Sequence, residues 1–142
     1  MKTNVLSAVL GLSLAWPAAI SAQSNFFREL VVIPVRQIDA NSFEVIESAG
    51  AGGTHLWCAA AKFTRDYLRQ RGGDISVLEA RGPSAVFPGR KSVIFTTAGV
   101  ANPVKSTSQG VRTEGQTFTM AHAYALCRSQ PEYLIKVRVV GP

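Results

Sequence analysis

Cysteine, histidine and acidic side chains are scarce in this sequence. Its 142 residues include two cysteines, two histidines, and nine aspartates and glutamates. Two cysteines exclude a disulfide-dense mini-scaffold and a four-cysteine zinc or iron–sulfur site. With 46% hydrophobic and 17% charged residues, the composition also excludes intrinsic disorder. A folded domain with a real core is therefore expected.

No motif in the sequence identifies a reaction or a ligand, so we predict no catalytic residue. The glycine run at 50–53 precedes a predicted helix, where backbone N–H groups can hold an anion. It lacks the G-x-G-x-x-G spacing and the lysine of a nucleotide phosphate loop. Ser84 lacks the second glycine of a nucleophile elbow. We interpret the glycine run as a tight connection to a capped helix, with Thr54 as the cap.

The N-terminus has the pattern of a cleavable export signal. Lys2 is followed by an apolar run from Val5 to Ala15 and by small residues up to Ala22. This run is shorter than the roughly 20 residues that span a membrane, so we predict a signal peptide over 1–22. The mature chain, 23–142, then has no membrane span and is periplasmic or secreted. It keeps every charged residue except Lys2, which lowers the formal net charge from +6 to +5.

The mature chain is predicted to be one α+β domain, in the order β-β-α-β-β-α-β, with an antiparallel sheet and two helices on one face. Residues 99–116 are predicted to form a long surface connection, and for 117–128 a short helix capped by Thr119 competes with a strand. The predicted strands span 26–36, 42–47, 75–81, 91–98 and 133–139, and the predicted first helix spans 56–71. The turn signal at 39–41 predicts that the first two strands form an opening hairpin.

The first predicted helix is amphipathic and carries a basic stripe. Lys62, Arg65, Arg69 and Arg71 form a possible basic binding face, while Trp57, Phe63 and Tyr67 are expected inside. Such a stripe could meet an anionic envelope polymer, phosphate-bearing lipids or an acidic protein, and a solvated helix face explains it equally well. Export argues against nucleic acid as the partner.

Cys58 and Cys127 are predicted to form a disulfide, because an exported chain folds where thiols are oxidised. The alternative is a metal site that combines these cysteines with His55 and His122, since two histidines and two cysteines can hold zinc or copper. The five-residue spacing between His122 and Cys127 is poor ligand geometry on a helix. We therefore predict the disulfide, with no metal and no cofactor.

Three segments carry a resemblance to known sequences: FEVIESAGAGGTHLWCAAAKFTRDYL, RGPSAVFPGRKSVIFTTAG and AHAYALCRS. Together they resemble small exported proteobacterial proteins of unassigned function. The resemblance implies a periplasmic or secreted bacterial protein with paired cysteines. It implies no activity and no catalytic residue.

These observations favour a non-enzymatic periplasmic or secreted domain that binds an anionic envelope component or a protein partner through a basic surface. An alternative is an enzyme with a site near His55 and the Gly50–Gly53 run, with His122 in the same cleft. A metal-handling protein using His55, Cys58, His122 and Cys127 is a further alternative. The sequence does not indicate an oligomeric state.

Overall fold

A computed structural model describes residues 29–48, 50–129 and 133–141. The predicted signal peptide, 1–22, and the first residues of the first predicted strand lie outside these ranges. The helices are α1 (Gly53–Asp66) and α2 (Met120–Ala125), and a 3-10 turn (Leu126–Arg128) follows α2. The strands are β1 (Glu29–Gln37), β2 (Ser42–Ile46), β3 (Asp74–Pro83), β4 (Lys91–Thr96), β5 (Val104–Lys105), β6 (Gln116–Thr119) and β7 (Tyr133–Val140).

The seven strands form one mixed sheet in the order β5-β6-β3-β4-β2-β1-β7. The α+β class is confirmed, and the opening hairpin of β1 and β2 is antiparallel as predicted. The prediction of a purely antiparallel sheet is wrong, because β7 runs parallel to β1 and β5 runs parallel to β6. After α2 the chain adds β7 to the edge of β1 that β2 leaves open.

The structure adds one strand that was not predicted, β5, and one that the sequence left as an alternative, β6, because both lie in segments with weak patterns. The two-residue β5 lies within the predicted surface connection, and β6 occupies the start of the ambiguous segment 117–128. That segment is both strand and helix, since β6 ends at Thr119 and α2 begins at Met120. As predicted, Thr119 caps the helix, and its Oγ1 accepts a hydrogen bond from the His122 backbone N–H at 3.2 Å.

Helix α1 begins and ends earlier than the sequence pattern indicates. Its N-cap is Gly52 instead of Thr54, and it ends at Asp66 instead of Arg71. Beyond the end, Arg69 adopts a left-handed conformation with φ of 60°, and the Gln70 N–H bonds the Thr64 carbonyl across it. Residues 67–71, which the sequence predicts as the last turn of α1, are therefore not helical.

The core lies between the helices and one face of the sheet. Alternate residues of β1, β2, β3 and β4 point into it, and both helices contribute side chains to the same cluster. Trp57 and Phe63 are fully buried as predicted, whereas Tyr67 is 51% exposed and stacks on Phe63 from outside. Within the described residues, no helix is long and apolar enough to cross a bilayer.

The predicted disulfide is confirmed. Cys58 of α1 is bonded to Cys127 in the 3-10 turn, with Cα atoms 4.9 Å apart and a sequence separation of 69. Cys58 is 1% exposed, so the bond is anchored in the core. The bond links α1 covalently to the turn that follows α2, and the chain between these two elements contains β3, β4, β5 and β6.

Candidate functional site

The predicted basic binding face on α1 is not a continuous stripe of available cations. Lys62 Nζ donates a hydrogen bond to the Ile135 carbonyl in β7 at 2.5 Å. Arg65 forms a bidentate ion pair with Asp66, at 2.7 and 3.1 Å, and lies over the Tyr124 ring at 4.2 Å. Hydrogen bonding to Asp66 raises the pKa of Arg65 above its ordinary value. Both cations are therefore already engaged within the fold.

The other two members of that predicted face, Arg69 and Arg71, lie beyond the end of α1 and are exposed. They do not continue the helical spacing that places Lys62 and Arg65 on one side, because the chain turns at Arg69. Arg69 and Arg71 therefore do not share a helix face with Lys62 and Arg65. The physical cause is the early end of the helix.

The two histidines have separate surroundings. The His55 ring is 7% exposed, and its Nδ1 accepts a hydrogen bond from the Gly52 backbone N–H at 2.9 Å, which supports the N-terminus of α1. His122 packs on Phe118, with ring centroids 4.5 Å apart, and lines a different depression together with Asp74. The structure does not bring the two histidines into one cleft.

A metal site built from His55, Cys58, His122 and Cys127 would need both cysteines as thiolates. In this structure their sulfurs are joined to each other. Within 29–48, 50–129 and 133–141, no three His, Cys, Asp or Glu side chains lie close enough together to hold a metal ion. His55 and Cys58, and likewise His122 and Cys127, are therefore close in sequence without forming a set of metal ligands in this structure.

Glu44 is a buried carboxylate that sequence reasoning did not single out. It is 1% exposed and accepts hydrogen bonds from Arg36 Nε at 3.0 Å, Ser84 Oγ at 2.8 Å and the Ala85 N–H at 3.1 Å. Burial raises its pKa, but hydrogen bonds from Ser92, Ser84, Arg36 and Ala85 together lower the pKa below its ordinary value. These bonds hold an ionised carboxylate and tie the loop after β3 to the sheet.

The glycine run does line a cleft, which we call the α1 cleft. It has a volume of about 490 Å³ and lies where the N-terminus of α1 meets the segment 104–116, which we call the strap. Its polar wall includes two arginines and one glutamate. The cleft is lined by Glu47, Ala51, Gly52, Gly53, Leu56, Arg81, Val104, Ser106, Ser108, Gly110, Val111, Arg112, Thr113 and Gln116.

Close contacts hold the strap against α1. The strap backbone passes so near Gly53 that a Cβ there would lie 2.0 Å from the Gln109 carbonyl oxygen, so only glycine fits. Thr54 Oγ1 bonds the Gln109 side chain, and Trp57 Nε1 donates to the Gly110 carbonyl at 3.4 Å. Gly53 is therefore required because the strap backbone comes so close to it, and not only because the chain turns there.

A second pocket, of about 480 Å³, adjoins the α1 cleft and shares Glu47 and Arg81 with it. The second pocket adds Arg90 and Lys91. We call the two pockets together the basic groove. Its charged residues are Arg81, Arg90, Lys91 and Arg112 against Glu47, so four cations and one carboxylate leave a net charge of +3.

Among the described residues, Arg81 is the only cation of the groove with a carboxylate partner. Its Nε and Nη2 donate to the two oxygens of Glu47, each at 2.8 Å, and this bonding raises the pKa of Arg81. Arg90 donates instead to the Glu47 backbone carbonyl, at 2.9 and 2.6 Å, and so keeps an uncompensated charge. None of the ion pairs formed among the described residues involves Arg90, Lys91 or Arg112.

Sequence reasoning found the glycine run but missed these cations, which come from three separate segments. The sequence does contain one indication that Arg81 and Lys91 lie close together, because they flank the loop between two consecutive predicted strands. Strands joined in that way pair side by side, as β3 and β4 do, and this brings their adjoining ends together. Arg112 could not be placed in the same way, since it lies in the strap.

Comparisons with protein-family models, with curated proteins and with solved structures find no match to this chain. Its function is therefore inferred from the chemistry of the groove and from the sequence.

Proposed function

We propose that this protein is an exported, non-enzymatic binding domain that holds an anionic polymer of the cell envelope in the basic groove. The observation that carries the proposal is the charge of the groove, in which four cations surround two adjoining pockets and a single carboxylate. A concave surface of one sign concentrates its field and attracts ligands of the opposite sign. The export signal predicted over 1–22 supports an envelope partner.

The groove is a better candidate than the basic face predicted on α1. Lys62 is bonded to a backbone carbonyl and Arg65 is paired with Asp66, so binding an anion there would break existing contacts. In the groove, Lys91 and Arg112 are exposed and Arg90 is held in place by a neutral backbone oxygen. An anion would therefore form ion pairs with these cations without displacing a carboxylate from them.

Binding alone accounts for the groups in the groove. Its titratable side chains are cations and one glutamate whose two oxygens both accept hydrogen bonds from Arg81. Neither His55 nor His122 is among the residues that line it. Fixed cations with planar guanidinium groups are suited to holding carboxylates and phosphates.

The test uses the chain 23–142 immobilised at low salt and exposed to an envelope extract. Two double variants remove two exposed cations each: Lys91→Gln with Arg112→Gln in the groove, and Arg71→Gln with Arg128→Gln outside it. We expect the groove variant to retain at least tenfold less polymer and the control variant to stay within about twofold. Retention should also fall steeply as salt is raised, because exposed charges are screened.

Three outcomes would overturn the proposal. Equal losses in both double variants would mean that the groove has no special role and that only net charge matters. Retention abolished by treating the extract with protease would identify an acidic protein as the partner instead of a polymer. Absence of any retained component at low salt would contradict binding itself.

A further inference from the structure

We infer that the α1 cleft is the specific part of the basic groove and that it holds one acidic sugar unit, a hydroxyl-rich ring carrying a carboxylate or a phosphate. The inference rests on the proposed function, because the cleft forms one half of the groove. It adds the chemical class of the bound unit.

The size of the cleft suits a compact ligand. Its volume of about 490 Å³ falls within the roughly 300–1,000 Å³ that is usual for small-molecule sites. The strap lies against α1 through its contacts with Gly53, Thr54 and Trp57, so the cleft has two fixed walls. A flat lipid surface or a folded protein would not fill a concavity of this kind, whereas one unit of a chain would.

The charge of the cleft suits one anionic group. Arg81 and Arg112 stand against Glu47, which leaves a net charge of +1 on the lining. Because Arg81 is occupied by Glu47, Arg112 is the guanidinium left for a ligand. A guanidinium binds a carboxylate or a phosphate through two parallel hydrogen bonds, which fixes orientation as well as charge.

The remaining lining suits a hydroxylated ring. Ser106, Ser108 and Thr113 provide hydroxyl groups that both donate and accept hydrogen bonds. Gln116 is 3% exposed and is fixed by a bond from its amide to the Ser108 carbonyl, so it is a rigid part of the wall. Val104, which is 43% exposed, gives the same cleft an apolar surface for the C–H face of a sugar, and the buried Ala51, Leu56 and Val111 lie behind it in the lining.

Trp57 provides a direct report of occupancy. It is the only tryptophan in the chain 23–142, and its indole N–H donates to the Gly110 carbonyl of the strap, which lines the cleft. We would follow the indole N–H resonance and the fluorescence while titrating glucuronic acid and glucose 6-phosphate. Glucose, acetate and inorganic phosphate are the controls, each lacking either the charge or the ring.

We expect saturable shifts with an acidic sugar, and a Kd at least tenfold lower than for glucose, acetate or inorganic phosphate. Saturation by glucuronic acid alone identifies the anionic group as a carboxylate, and saturation by glucose 6-phosphate alone identifies it as a phosphate. Arg112→Gln should raise that Kd at least tenfold. Arg128→Gln, which removes an exposed cation outside the groove, should change it less than twofold.

The inference fails if the neutral and acidic sugars shift the Trp57 resonance alike, or if none of the ligands shifts it. It also fails if Arg112→Gln and Arg128→Gln weaken binding equally. In each case the envelope-polymer experiment gives a separate answer. Polymer retained through the groove without sugar binding would leave the proposed function standing, and loss of both would overturn the two together.

Discussion

Replacing Glu44 by glutamine tests whether the buried carboxylate stabilises the fold through its charge. The substitution keeps the size and shape of the side chain and removes only the negative charge. It leaves the Arg36 guanidinium without an anionic partner and weakens the bonds from Ser84 and Ala85. The exposed Glu79 of β3 provides the matched control, Glu79→Gln, on the same sheet.

The expected cost of Glu44→Gln is about 3 kcal/mol at pH 7. Removing one partner of a buried ion pair costs roughly 3–5 kcal/mol, because a charge remains without compensation. The Arg36 side chain is 20% exposed and can regain water, which places the cost at the lower end of that range. For the control we expect a change within about 0.5 kcal/mol, as is usual at the surface.

The same variant should remove part of the acid sensitivity of the protein. The pKa of Glu44 is lower in the folded state than in the unfolded chain, where a glutamate has a pKa of about 4.3. Its ionised form therefore stabilises the fold above that pH, and the stabilisation is lost as pH falls through the folded-state pKa. Below it, a protonated glutamate and a glutamine are both neutral, so the two proteins should converge in stability.

Urea unfolding of the wild type, Glu44→Gln and Glu79→Gln at intervals from pH 7 to pH 3 measures both effects. We expect the difference between wild type and Glu44→Gln to shrink steadily below about pH 4. A difference that stays constant over this whole range would refute the assignment of the stabilisation to an ionised Glu44. A difference no larger than that of the control would refute the role of the buried pair.

Two further predictions concern the disulfide and the strap. Replacing Cys58 and Cys127 together by alanine should lower the free energy of unfolding by about 4 kcal/mol, because the bond closes a loop with a sequence separation of 69. Urea unfolding measures this change, and a decrease of less than about 1 kcal/mol would contradict the prediction. Gly53→Ala should displace the strap and change Trp57 fluorescence, whereas Gly72→Ala, with open space at its Cβ, should not. Identical spectra for both variants would show that the strap is not held at Gly53.

The local elements were predictable where a short stretch of sequence decides the conformation. The hairpin turn at 39–41 formed as its residues indicated, with the Asp39 carboxylate accepting hydrogen bonds from the N–H groups of Asn41 and Ser42. Helix α1 follows from its apolar spacing. Its end did not, because Arg69 is an ordinary helix former that adopts a left-handed conformation in the folded chain.

The candidate site was predictable only in part. The glycine run was visible in the sequence, but the reason for Gly53 is the strap, which approaches from more than 50 positions away. The basic face on α1 was a reasonable expectation from helical spacing. The spacing did not reveal that two of its cations have partners within the fold: β7 provides a carbonyl for Lys62, and Asp66 and Tyr124 hold Arg65.

By itself, the sequence determined the α+β class, the position of α1, the opening hairpin and the two cysteines available for pairing. These depend on residue spacing over a few turns or strands, and on composition. Only the tertiary structure decided that β7 pairs parallel to β1 and that Glu47, Arg81, Arg90 and Arg112 surround one groove. Strand order and the docking of the strap depend on contacts between distant segments, and these contacts leave no period in the sequence.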